Sequence, residues 1–137
     1  VNRIHTEWIA DHLRDITPEG GSIGILGLTY KPSVQVVDDS QGVRLIEALA
    51  HEYDLVCHDP MGIEAASERI DAVVEFESDL QAALASVDSV VITVPWNEYN
   101  DASQYIDRAL GIVDPLRLLK SVDVGASAEY RSVGSSL

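Results

Sequence analysis

The chain is poor in cysteine and lysine and has no long apolar run. One cysteine in 137 residues, Cys57, cannot close an internal disulfide, which fits a reducing cytoplasm. The longest apolar runs, such as residues 89–95, are far too short to cross a bilayer, and no charged-then-apolar leader opens the chain. Repeats, low-complexity tracts and internal linkers are missing as well. No second cysteine or histidine stands near Cys57 at metal-ligand spacing, and His5, His12, His51 and His58 are scattered, so no metal site is expected. Cys57, inside an apolar stretch, is expected as a small buried core residue. Hydrophobic residues make up 46% of the chain, enough for one domain to fold around a core without covalent staples.

Positive charge is scarce. Nine Lys and Arg face 23 Asp and Glu, for a formal net charge of −14, and only Lys31 and Lys120 are lysines. Such a field repels nucleic acid and anionic membrane, so neither is expected as a partner. An acidic, lysine-poor surface also suits a high-salt cytoplasm, where salt screens self-repulsion. A halophilic source is therefore expected, against the alternative of an ordinary acidic domain.

Hydrophobic periodicity organises what remains. Ile4, Trp8, Ile9, Leu13 and Ile16 recur at helical spacing over residues 2–16, and Pro18, Gly20 and Gly21 stop that helix. Residues 22–26 read as a buried strand ending at Gly27. Ser40 is a good N-cap for a helix through Val43, Leu45, Ile46 and Leu49. Residues 53–57 form a second strand, 62–69 a short helix and 72–76 a short strand. Ser78 is expected to cap a helix through Leu80, Ala83 and Leu84. The β-branched run 89–94 is the most strand-like, residues 97–110 are expected to be helical, and Ile112-Val113 is a short strand before a weaker tail. Strands alternating with helices predict an α/β fold: a three-layer, Rossmann-like and mainly parallel sheet with helices on both faces. Ligands in such sheets gather beyond the carboxyl ends of strands, which points to the loops after Leu26, Cys57 and Val94.

The loop after the first strand lacks the close glycine pair of a dinucleotide cradle. It offers instead Lys31, directly after an aromatic at a strand's carboxyl end. The residues alone leave two readings open: a lysine meeting a phosphate or carboxylate ligand, or a surface lysine paired with Asp38 or Asp39. Asp38-Asp39 reads more simply as solvated loop or helix-start charge than as an acid pair or magnesium site. His58, at a strand end, is expected as a turn histidine hydrogen-bonded to Asp59. Trp96 is expected to pack against and anchor the strand-to-helix turn.

Gly27-Leu28-Thr29-Tyr30-Lys31-Pro32, followed by a polar stretch, Asp38-Asp39-Ser40 and a helix, resembles the UDP-glucose/GDP-mannose dehydrogenase family. Further matches follow in order: Val1-Asn2 at the end of a long central helix, His58-Asp59-Pro60, Thr93 to Tyr99, Ile112 to Asp114 with Arg117, and Tyr130 to Gly134. The resemblance implies a C-terminal domain, residues 17–137, that holds the UDP part of a nucleotide sugar, with residues 1–16 as the end of the central linking helix. Such enzymes oxidise the sugar's 6-hydroxyl in two NAD-dependent steps. The resemblance further implies that Tyr30, Lys31 and Arg117 are substrate-binding, Lys31 acting electrostatically and Tyr30 shaping the pocket wall. NAD and a catalytic cysteine would be supplied by residues before Val1, so the chain alone is expected to be inactive and the full-length parent to be a homodimer. Where the family places an arginine toward NAD, this chain has Asp38, a sign reversal beside a pyrophosphate. That departure keeps a second expectation in play, a free-standing or regulatory nucleotide-binding module without dehydrogenase activity.

Overall fold

The computed structural model describes residues 3–29, 37, 40–85, 87–105, 111–116 and 129–132. In chain order the elements are α1 (Arg3–Ile16), β1 (Ser22–Leu26), α2 (Gln41–Leu49), β2 (Asp54–His58), α3 (Ile63–Arg69), β3 (Glu75–Phe76), α4 (Leu80–Leu84), β4 (Ser89–Ile92), a 3-10 helix (Asn97–Tyr105), β5 (Gly111–Val113) and β6 (Glu129–Arg131). The strands form one sheet in the order β3-β2-β1-β4-β5-β6. All its pairings are parallel, which carries the expected parallel character through to both edges.

Strand alternation sorts the core into two layers. Ile23, Ile25, Leu55, Cys57, Val91 and Val113 face α1, α2 and α3, where Ile9, Leu13, Val43, Leu45, Ile46 and Ala66 complete one cluster. Leu26, Val90, Ile92 and Ile112 face the other way, against Leu80 and Leu84 of α4 and Tyr99 and Ala102 of the 3-10 helix. The result is three layers with helices on both faces. Each fully buried Leu or Ile contributes roughly 1.5–3 kcal/mol of apolar burial. Among the described residues no helix is long and apolar enough to cross a membrane.

Helix starts follow capping chemistry. Ser40 has extended backbone, and its Oγ accepts from Val43 N at 3.1 Å, as expected of the α2 cap. The α4 cap is Asp79 rather than Ser78: its Oδ2 accepts from Ala82 N at 2.9 Å. Starting there lets the five-residue helix aim Leu80, Ala83 and Leu84 at the sheet. The helix expected over residues 97–110 is a 3-10 helix from Asn97 to Tyr105, and residues 106–110 lie outside the described set. Tyr99 and Ala102, three apart and both buried, suit its three-residue turn.

At the edges, tertiary contacts decide what is a strand. β3 is shorter than the expected 72–76, pairing only through Glu75 and Phe76, while Val73 is left exposed. β6 sits in the tail that carried only a weak strand pattern. Asp114 N donates to Arg131 O at 2.7 Å, and Tyr130 Oη donates to Asp114 Oδ2 at 2.8 Å. Arg131 also reaches back to α1, with Nη2 2.6 Å from Asp15 Oδ2 and Nη1 donating to His12 Nδ1 at 2.8 Å. α1 packs on the sheet, with Ile9 in the core and Trp8 half-buried beside it and ring-to-ring with His12 at 4.2 Å.

Candidate functional site at the switch in strand order

From central β1 the chain builds outward through β2 and β3, then returns to place β4, β5 and β6 on the other side. The carboxyl ends of β1 and β4 therefore flank the point where strand order reverses, where open α/β sheets hold their ligands. Pairing of Leu26 with both His58 and Ile92 brings Asp59 and Thr93 up on either side of Gly27. One lip of this crevice is residues 27–29 after β1, and the other is 93–96 after β4.

The first lip is tightly set. Gly27 has φ 114°, a left-handed conformation that strains any residue with a side chain. Its carbonyl accepts from Thr93 Oγ1 at 2.7 Å. α2 presses on the same carbonyl so closely that a Cβ on Gly42 would sit 2.0 Å from it. Glycine at 42 is thus what lets the start of α2 approach the lip.

Among the described residues Asp59 gathers the polar contacts of the crevice, and it is 2% exposed. Its Oδ2 accepts from Leu28 N at 2.8 Å, Thr29 N at 3.2 Å, Thr29 Oγ1 at 3.3 Å and Trp96 Nε1 at 3.1 Å. Its Oδ1 accepts from Met61 N at 2.8 Å and Gly62 N at 2.7 Å, closing the turn into α3. A buried carboxylate is tolerated only with such a ring of donors. One side chain from the β2 end thereby reaches over β1 to a tryptophan that follows β4.

His58, the residue before it, is wholly buried, which corrects the expected turn histidine bonded to Asp59. Its Nδ1 lies 2.9 Å from Tyr99 Oη, with the rings edge to face at 5.5 Å. Tyr99 Oη donates to His58 O at 3.1 Å, so its one proton is used and it must accept from Nδ1–H. Donation of Tyr99 Oη to the carbonyl favours the Nδ1–H tautomer for neutral His58. Among the described residues its buried Nε2 has no well-formed hydrogen bond, and it lies 4.0 Å from Glu98 Oε2. Burial pushes the imidazole below its ordinary value, while Glu98, Asp59, the Ser78 backbone and Asp79 pull the other way. Burial likewise raises the Tyr99 hydroxyl. A cleft of about 240 Å³ beside the 3-10 helix is lined by Asp79, Glu98 and Asp101, so it repels phosphate.

Tyr30, Lys31, Asp38 and Arg117, the residues singled out from sequence, lie outside the described residues. Their described neighbours Thr29 and Leu116 follow β1 and β5, whose parallel ends share one edge of the sheet. Cys57 is the buried core residue expected, its thiol pushed up to about 12 by burial and by Glu75. Trp96 packs on the second cluster and anchors its turn as expected, and it adds the bond to Asp59. Among the described residues no group of three His, Cys, Asp or Glu could hold a metal ion.

In the sequence Asp59 and Tyr99 stand only inside motif matches, with no role of their own at the site. For Asp59 a signal existed: an aspartate ending a strand, with a glycine three residues on, is a turn-forming pattern. For Tyr99 there was none. The described start of the turn after β1, residues 27–29, does not fit an NAD pyrophosphate. The Leu28 and Thr29 amides, which a glycine-rich cradle would aim outward at phosphate, point inward to Asp59.

A six-stranded, doubly wound parallel sheet with its crevice at the strand-order switch defines a Rossmann-like domain. The family described as UDP-glucose/GDP-mannose dehydrogenase family, UDP binding domain, matches residues 24–121, and the chain belongs to that family. Among curated relatives, the UDP-glucose 6-dehydrogenase of Rhizobium meliloti is 35% identical over 81 residues, covering 58% of this chain and 18% of that protein. UDP-glucose 6-dehydrogenase AglM of Haloferax volcanii is 30% identical over 101 residues, covering 72% of this chain and 23% of that protein. The chain thus spans about a fifth of the length of these relatives. Among solved structures, a UDP-glucose dehydrogenase from Pyrobaculum islandicum superposes with a TM-score of 0.75 at 26% identity, over 95% of this chain and 29% of that one. The UDP-N-acetyl-mannosamine dehydrogenase Cap5O from Staphylococcus aureus shares the fold, with a TM-score of 0.75 at 21% identity over 98% of this chain and 32% of that one.

Proposed function

We propose that residues 17–137 form the nucleotide-sugar wall of an NAD-dependent UDP-sugar 6-dehydrogenase, with residues 1–16 the end of its central linking helix. The family match over residues 24–121, which takes in the loops after β1, β2 and β4, carries this reading. In it, Lys31 neutralises charge on the nucleotide sugar's diphosphate, Tyr30 shapes the wall beside it, and Arg117 contributes from the loop after β5. Since the β1 turn is occupied by Asp59, side chains rather than a glycine cradle meet the ligand's phosphates. NAD and the catalytic cysteine belong to other parts of such an enzyme, which in this reading is a cytoplasmic homodimer. Asp38, an anion where the resemblance places an arginine, makes cofactor contact from this domain weak.

Titration of the chain with UDP, UDP-glucose and NAD in high salt tests the reading. UDP and UDP-glucose should bind and NAD should not, and Lys31→Ala should weaken UDP binding about tenfold, the scale of one lost charge-assisted contact. UDP binding indifferent to Lys31 refutes the site, and no UDP binding at all refutes the function.

A further inference from the structure

Asp59 bridges two lips of the crevice that are otherwise parts of separate loops. Oδ2 holds both amides that lead out of β1 and, on the far side, the indole N–H of Trp96 after β4. Oδ1 is fully used by the turn into α3, and the carboxylate is almost without solvent contact. It therefore has no room to touch a ligand, and its charge is spent inside the protein. Thr93 also crosses the lips, its N and Oγ1 reaching Leu26 O and its Oγ1 reaching Gly27 O, one residue short of the segment that Asp59 holds. We propose that Asp59 is the positioning residue of this site: it sets the separation of the β1 and β4 lips, and through it the affinity for the nucleotide diphosphate, without contacting the ligand. This rests on the nucleotide-sugar reading given above.

The chemistry of Asp59→Asn separates the two halves of the contact. An asparagine oxygen serves the local Met61 and Gly62 amides as well as aspartate does, so the turn into α3 persists. Its NH2 then faces Leu28 N, Thr29 N and Trp96 Nε1, donors against donors, and the lips come apart.

The test is UDP titration of the chain for wild type, Asp59→Asn, Trp96→Phe, the double variant and a stability control, Leu13→Ala. Leu13 is buried on α1 one turn before Ile16, whose side chain meets Gly111 at the amino end of β5, and all variants are read at a temperature where each is folded. Amide spectra report whether Leu28, Thr29 and the Trp96 indole have moved. Asp59→Asn should shift those signals and weaken UDP at least about tenfold, with Leu13→Ala within about twofold of wild type. Trp96→Phe should add no further loss in the Asp59→Asn background, because both act through one contact. Wild-type affinity in Asp59→Asn, or a matching loss in Leu13→Ala, overturns the proposal while the nucleotide-sugar reading stands. A wild-type chain that does not bind UDP overturns both.

Discussion

Replacing Tyr99 by Phe removes one oxygen and leaves the ring's packing in place, so it isolates a buried polar contact. In the wild type that oxygen accepts from His58 Nδ1 at 2.9 Å and donates to His58 O at 3.1 Å. The carbonyl keeps its bond from Gly27 N at 2.8 Å, whereas Nδ1–H is orphaned. Two lost bonds at about 0.5–1.5 kcal/mol each set a destabilisation of about 1–3 kcal/mol for Tyr99→Phe, the orphaned Nδ1–H being relieved by a change of tautomer. Denaturant unfolding at pH 8 measures this, with an unchanged m-value expected because the buried surface is the same. The same change should release the imidazole from its tautomer. Nitrogen chemical shifts of His58 should report Nδ1–H in the wild type and a shift toward Nε2–H, facing Glu98, in the variant. A destabilisation below about 0.5 kcal/mol, or Nε2–H in the wild type, would refute the assigned hydrogen-bond direction.

Two further outcomes follow from the same crevice. Because burial holds the His58 pKa below its ordinary 6.5, the folded state binds fewer protons there, and stability from neutral His58 is full above pH 6.5 and lost as pH falls through the lower folded value. The stability difference between wild type and His58→Phe, measured by unfolding from pH 8 to pH 5, should therefore shrink on acidification; a difference that grows reverses the sign. Gly42→Ala, in α2, would normally gain up to about 1 kcal/mol from helix propensity. Here the new methyl meets the Gly27 carbonyl at 2.0 Å, so a lowered melting temperature is expected, and a raised one would show that the lip and α2 are not in contact.

Fold class was legible in the chain alone, because alternation of period two and helical spacing are local properties that survive without tertiary context. β1 matches its expected range, and the Ser40 cap and the core place of Cys57 were equally legible. In-order motifs also sufficed for the family, since Gly27 to Lys31 and the later matches are patterns in the chain itself. Long-range packing and pairing set the remaining features. β6 exists, and β3 keeps only Glu75–Phe76 of the expected 72–76, because neighbouring strands supply partners, which a three-residue segment cannot announce. The 3-10 helix follows from Tyr99 and Ala102 packing three residues apart against the sheet. His58 read as a turn residue because its partner Tyr99 lies 41 positions away. Asp59 likewise looked like one member of a His-Asp-Pro turn. Its role appears only when parallel pairing sets β2 beside β1 and β1 beside β4, so that one carboxylate meets donors 31 and 37 residues distant.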